Sequence, residues 1–228
     1  MFFFFFRIEY KIEEQQIQLI IMHLKKTILL LLIILCGTHV FSQNKQQFKK
    51  QLKKTIEDLQ KEKPADVFAF DEFCKSMPNT VFEETEIMKS DSLSQIRSFR
   101  VQLINRIGTF TKDTSIRRKI VYELVSACKD NDETIRSFAA SNLKRYNKQD
   151  FSHKSKQQLI DILEMNHGFY KHVVQLIGYL DMNDKEKELE GILGDTTHNN
   201  IQIKWKVHTT LARLGNEESI DYCVNYAK

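Results

Sequence analysis

The sequence predicts an all-α protein: an α-solenoid of stacked antiparallel helix pairs, preceded by a signal peptide and an N-terminal amphipathic helix. Three observations carry that expectation. The 228 residues include only 2 prolines and 7 glycines, while Lys, Leu, Ile, Glu and Gln are abundant, a balance that favours helix. Apolar residues recur at positions 0, 8 and 11 of four segments, which share one face of an α-helix. Those segments follow one another at 39, 34 and 34 residues, and self-similarity at such a period marks stacked repeats. With 42% hydrophobic and 28% charged residues, the composition excludes collagen-like, low-complexity and disulfide-dense classes.

Near the N-terminus, Met22-His23-Leu24-Lys25-Lys26 forms a short basic region. An apolar run from Ile28 to Cys36 follows, and then Gly37-Thr38-His39-Val40-Phe41-Ser42. This is the three-part layout of a secretory signal peptide over residues 22–42, with cleavage expected after Ser42. The 9 apolar residues are too few for a hydrocarbon core, which needs roughly 20; the competing reading is a buried helix or membrane anchor. Residues 1–21, with Phe2 to Phe6 and Glu13-Glu14-Gln15-Gln16, read as an upstream extension from a misplaced start codon, translation starting at Met22. Lipidation at Cys36 would call for a small residue before it, and Leu35 stands there. The expected localisation is periplasmic or extracellular, with membrane contact only if Cys36 is lipidated.

Removing residues 1–42 leaves 186 residues with a net charge of +3. So small an excess does not point to a polyanion. The remaining Cys74, Cys128 and Cys223 are odd in number and widely spaced, so no disulfide framework is implied. Each falls on an apolar helical face and is expected to be a buried, inert thiol.

Residues 43–79 read as an N-terminal helix and capping region. Phe48, Leu52, Ile56 and Leu59 stripe one face, and Phe68, Phe70 and Phe73 suit a helix pair closed near Pro78. Within residues 80–228, Ile96-Arg97-Ser98-Phe99 recurs as Ile135-Arg136-Ser137-Phe138, then as Phe169-Tyr170-Lys171 and Ile203-Lys204-Trp205. The apolar residues that follow in register are Ile104 and Ile107, Leu143 and Tyr146, Ile177 and Leu180, Leu211 and Leu214. Between these inner helices lie second helices striped by Ile120, Val121, Leu124 and Val125, by Leu159, Ile160, Ile162 and Leu163, and by Leu189, Ile192 and Leu193. Residues 219–227 suit the opening helix of a further repeat. Gly108 and Gly215 are expected as left-handed caps, and Ser115 and Asp184 as N-caps.

The segment Asp130-Asn131-Asp132-Glu133-Thr134-Ile135-Arg136-Ser137-Phe138-Ala139-Ala140, with Leu143 following, resembles the HEAT repeat. It has the acidic turn, the aliphatic–Arg pair, the small-residue step and the leucine of that pattern. Asp91 repeats the acidic turn before Ile96-Arg97. Leu211-Ala212-Arg213-Leu214-Gly215-Asn216-Glu217-Glu218 resembles the close of the shorter, bilin-lyase-type HEAT-like repeat. The copy at 169 departs from the pattern with Tyr170 in the arginine slot, and the copy at 203 has lysine there. The resemblance implies a scaffold; it specifies hardly any chemistry.

No His-Glu-x-x-His, Gly-x-Ser-x-Gly, phosphate-cradling glycine loop or Cys-x-x-Cys occurs. His153, His167, His172, His198 and His208 are scattered, and Glu83, Glu84 and Glu86 read as a solvated helix face, so neither a metal nor a cofactor is expected. In a stacked solenoid the slots beside the register residue line the inner-helix face. They hold Arg97, Arg136, Tyr170, Lys171, Lys204 and Trp205 near the helix starts, and Arg106, Arg145, Tyr179 and Arg213 towards the ends. Such a basic, aromatic ladder suits an acidic, extended segment of a partner protein, since Arg and aromatics are enriched at binding hot spots. For Arg97 and Arg136 the competing role is a staple to a neighbouring acid. The expected function is a non-catalytic, monomeric protein-binding scaffold; the alternative is an accessory or lyase-type enzyme on HEAT-like repeats. A nucleic-acid reader is disfavoured by the export signal and the small net charge.

Overall fold

A computed structural model describes residues 2–164, 170–194 and 201–226. The side chains of Cys36, Tyr170 and Lys171, and the whole of His167, Phe169 and His198, lie outside the description. Among the described residues every regular element is helical. Residues 1–52 form one compact unit and residues 53–228 a second.

Helix α1 (Phe2–Leu59) supplies the first unit. In the first unit Leu24, Ile28, Leu29, Leu30, Leu31, Val40 and Phe41 are exposed. No described helix is long and apolar enough to cross a membrane.

The second unit opens with short elements: a 3-10 turn at Val67–Phe70, α2 (Asp71–Ser76), α3 (Pro78–Glu84) and a 3-10 turn at Glu86–Ser90. Pro78 begins α3 rather than closing the preceding pair. At a first helical position it gives up no hydrogen bond, and its fixed φ suits the turn. Phe70, Phe73, Val81, Phe82 and Met88 are buried, and Phe70 meets Phe99 edge-on at 5.5 Å. Phe68 stays exposed.

Eight longer helices follow: α4 (Ser94–Phe110), α5 (Thr114–Ala127), α6 (Glu133–Leu143), α7 (His153–Glu164), α8 (Tyr170–Tyr179), α9 (Glu186–Gly194), α10 (Ile201–Leu214) and α11 (Glu217–Tyr226). Their packing alternates. Helix α4 meets α6, α6 meets α8 and α8 meets α10; on the other side α5 meets α7 and α7 meets α9. Neighbours in sequence close the two rows, as in α4 with α5, α7 with α8 and α10 with α11. The register residues form the shared core: Ile96, Ile104, Ile107, Ile135, Leu143, Tyr146, Ile177, Leu180, Ile203 and Leu211 are all buried. In the second row Ile120, Val121, Leu124, Val125, Leu159, Ile162, Leu163 and Leu189 are buried, while Ile160, Ile192 and Leu193 are half-buried.

The helix ends correct several local expectations. Asp113 caps α5 by accepting from the backbone N–H of Ser115 and Ile116, so Ser115 lies inside the helix it was expected to start. Asp132 caps α6 in the same way. Asp184 sits within a 3-10 turn at Asn183–Lys185, whose N-cap position is Met182. Gly215, at φ 100°, is the left-handed residue that ends α10, and the Asn216 N–H returns to the Leu211 carbonyl at 3.0 Å. Gly108, in contrast, is an interior residue of α4. The same terminating motif ends α1 and α8 with Glu62 and Asp181 at φ 58° and 52°, positions where a side chain normally costs energy.

Candidate partner-binding surface

The ten residues of the expected ladder divide in the fold. At the helix starts, the Arg97 Nε and Nη2 donate to the two Asp130 carboxylate oxygens at 2.8 and 2.9 Å, and Nη1 donates to the carbonyls of Asp91 and Ser92 at 2.7 and 3.1 Å. Arg136 Nη1 donates to the carbonyls of Asp130 and Asn131 at 2.7 and 2.9 Å. One turn, residues 130–132, is thus gripped from both sides, by its carboxylate and by its backbone. The bond to Asp130 raises the pKa of Arg97 above its ordinary value. Near the end of α4, Arg106 is paired with both oxygens of Asp71 and lies between the rings of Phe68 and Phe110, at 4.8 and 5.1 Å. Arg97 and Arg106 tie distant segments together through bidentate carboxylate pairs, while Arg136 clamps the turn just before its own helix.

The remaining described positions face outward more. Arg145 and Arg213 are exposed, and Lys204, Tyr179 and Trp205 are half-buried. The Tyr179 hydroxyl donates to the Tyr146 carbonyl at 2.9 Å, with Arg213 and Lys148 over its ring at 5.8 and 5.9 Å. Lys148 also pairs with Asp181, whose carboxyl is held below the usual range first by that hydrogen bond. Arg213 therefore turns towards α8. Trp205 turns the other way, onto α11.

There the side chains of α10 and α11 build a continuous row of rings. Trp205 lies 4.8 Å from Tyr226, Tyr226 stacks on Tyr222 at 6.1 Å, and Tyr222 stacks on His208 at 3.7 Å. Beside the row is a groove of about 290 Å³ lined by Gln175, Ile201, Gln202, Trp205, Lys206 and Tyr226. Ile201 and Tyr226 in its lining are 60% and 55% exposed, so the groove has an apolar wall open to solvent with Lys206 beside it. Tyr222, Tyr226 and His208 were not among the residues expected here. Their signal was spacing: Tyr222 and Tyr226 are four apart, and Trp205 and His208 three apart, so each pair shares a helix face.

His208 Nδ1 lies 3.1 Å from the Ser219 hydroxyl, tying α10 to α11. Burial lowers its pKa from the ordinary value, partly opposed by Glu218 and reinforced by Lys204. A lowered folded-state pKa means the unfolded chain binds the proton more readily. This contribution to stability is therefore present above the unfolded-state pKa of about 6.5 and is lost as pH falls below it. The protection factors of α11 amides, which compare exchange with that of the unfolded chain at the same pH, should fall between pH 7 and pH 5, and the fall should shrink in His208→Phe; an unchanged pH response in that variant would remove His208 as the cause.

Elsewhere the chemistry is quiet. Burial, assisted by Asp71, pushes the Cys74 thiol up to about 12, and burial alone does the same for Cys128. Cys223 is half-buried, not fully buried as expected. Among the described residues no group of three or more His, Cys, Asp or Glu could hold a metal. Compared with known proteins, the chain matches no family model, no curated protein and no solved structure.

Proposed function

We propose that the protein is a non-catalytic protein–protein interaction scaffold of the bacterial cell envelope or exterior. Its helix pairs stack as a HEAT-like solenoid, and it holds an acidic, extended segment of a partner protein across α8, α10 and α11. The observation that carries this reading is the aromatic row Trp205–Tyr226–Tyr222–His208 beside a groove, with Lys204, Lys206 and Arg213 on the same helix. Rings bury large area at small entropic cost, and cations at the edge complement acidic side chains. The stacking is supported by the two rows of helices and by bonds that repeat at one spacing. Arg97 to Asp130, Arg117 to Asp150, Tyr179 to Tyr146 and Lys148 to Asp181 each span 33 residues. Export is supported by the basic, apolar and small-residue layout of residues 22–42, whose described apolar side chains are exposed.

The test is crosslinking and affinity capture from native envelope fractions with the tagged chain, comparing wild type with Trp205→Ala/Tyr226→Ala and with Arg213→Ala. Loss of a central aromatic anchor costs about 2 kcal/mol or more, roughly 30-fold in affinity. Capture of the same partner should therefore collapse in the aromatic variant and weaken with salt in the wild type, helicity being unchanged. Equal capture by all three proteins would reject the surface.

A further inference from the structure

Positive charge is not spread evenly over the chain. Residues 111–119 and 144–156 carry nine Lys and Arg against two carboxylates, Asp113 and Asp150. Residues 43–228 as a whole are only +3, so the rest of that stretch is net negative. Most of α5 and all of α6 separate the two segments in sequence, yet the fold lays them side by side. The first is the α4–α5 turn and the start of α5. The second runs from the end of α6 through a 3-10 turn at Lys148–Asp150 to the start of α7. Arg118 Nε donates to the Gln149 carbonyl at 3.3 Å, and Arg117 donates to Asp150 at 3.0 and 2.7 Å. Lys154 reaches back across the same seam, its ammonium 4.7 Å from the centre of the Tyr122 ring. These contacts gather the cations on one rim of the stack, where α5 and α7 both begin. Helix starts add partial positive charge of their own.

The two carboxylates there are already engaged. Asp113 caps α5, and the side chain of Asp150 is 1% exposed against Arg117. Of the nine cations only Arg117 and Lys148 have a carboxylate partner among the described residues, Asp150 and Asp181. Lys144 donates to the amide oxygen of Gln175 at 2.9 Å, and Lys119 lies over the Phe82 ring at 4.3 Å. Both partners are neutral and leave the charge in place. Lys112, Arg118, Lys119, Lys144, Arg145 and Lys154 are all exposed. Like charges gathered on one rim repel one another, and an outside anionic surface relieves that repulsion.

We propose that this rim docks on the surface of an anionic phospholipid bilayer. The spread of the cations and their residue types select that partner. They extend from Lys144 and Arg145 at the end of α6, in the row of α4 and α8, to Lys119 and Lys154 on α5 and α7 in the other row. This makes a two-dimensional patch rather than a single track. A planar array of phosphates meets all of it, whereas one polymer strand would follow only part. Six of the nine are lysines, flexible point charges suited to diffuse headgroup phosphates; a defined bidentate ligand would call for the fixed fork of arginine. The proposal uses different residues from the aromatic row of α10 and α11 and does not rest on it.

The experiment measures sedimentation of the full chain with vesicles of phosphatidylcholine alone and with vesicles that also contain phosphatidylglycerol. The ratio of the two affinities isolates the electrostatic part, because the exposed apolar side chains of residues 22–42 act on both kinds of vesicle. The wild type should prefer the anionic vesicles, and the preference should fall as salt rises. Each cation near such a surface contributes about fivefold, so Lys112→Gln/Arg118→Gln/Lys154→Gln should cut the ratio by about tenfold or more, with helicity unchanged. Lys61→Gln/Lys75→Gln/Lys187→Gln removes the same charge from exposed positions elsewhere and should cut it by about twofold at most. No preference for anionic vesicles, or an equal loss in the two variants, would overturn the proposal. Soluble polyphosphate bound as tightly per phosphate as the vesicles would also overturn it, since the rim would then be a polyanion site.

Discussion

Replacing Arg100 with alanine is expected to destabilise the fold by about 3–5 kcal/mol, the cost of breaking a buried ion pair from one side. Arg100 is 3% exposed and Glu123 10%, so the substitution strands a carboxylate with little access to water. Lys89, 3.4 Å from Glu123, offsets part of that loss but is itself 38% exposed. The Thr85 carbonyl loses its donor as well. Arg100→Met combined with Glu123→Leu should recover most of the stability, because apolar side chains of similar volume replace such pairs at little cost. Chemical denaturation at neutral pH reads both values. A single variant as stable as the double one would show that the pair is not what holds the 86–90 turn to α4 and α5.

Gly108→Ala should also destabilise the protein, against the usual trend for an interior helical glycine. In an open helix alanine would gain roughly 1 kcal/mol. Here a Cβ would fall 2.0 Å from the Tyr146 hydroxyl oxygen and 3.1 Å from its Cζ. The ring has nowhere to go: Tyr146 is 4% exposed, and the Arg117 guanidinium lies 5.0 Å from the ring centre. Arg117 is in turn held by Asp150, 1% exposed, which also accepts the Asn147 N–H. Overpacking of this kind costs about 1–3 kcal/mol. Adding Tyr146→Phe removes the overlapping oxygen and should restore most of the loss. A thermal melt in which Gly108→Ala alone gains stability would refute the close approach.

Gly108 also shows where sequence reasoning stopped. A glycine near an apolar helical segment reads as a cap, because caps are local and frequent. The residue that demands it, Tyr146, lies just past the end of α6 and is invisible in a window around position 108. Glu62 and Asp181 make the converse point. Both adopt left-handed backbone without being glycine, and at Asp181 the Lys148 ion pair helps to hold the turn. Pro78, read as a stop, is a start, since proline suits both sides of a boundary.

The site divided for the same reason. Trp205 and Arg213 fall in slots beside the register residue, and the structure leaves Arg213 exposed and Trp205 half-buried. Their partners were not legible, because a half turn of helix decides whether a side chain meets α8 or α11. The aromatic row needed two helices to be placed against each other before Trp205, Tyr226, Tyr222 and His208 could count as one surface. The ion pairs of Arg100 were still less legible: it stands in no repeated slot, and its acids lie 14 and 23 residues away.

The sequence by itself determined the helices, the faces they bury and the spacing at which they recur, since these follow from periodicity within a few turns. The tertiary structure decided which polar side chains are paired within the fold and which stay exposed. Arg97 and Arg106 reach acids 33 and 35 residues distant, so their roles are set by how one helix pair is laid on the next. A charge buried against such a neighbour is spent within the fold, while one such as Arg145 or Arg213 stays exposed at the surface.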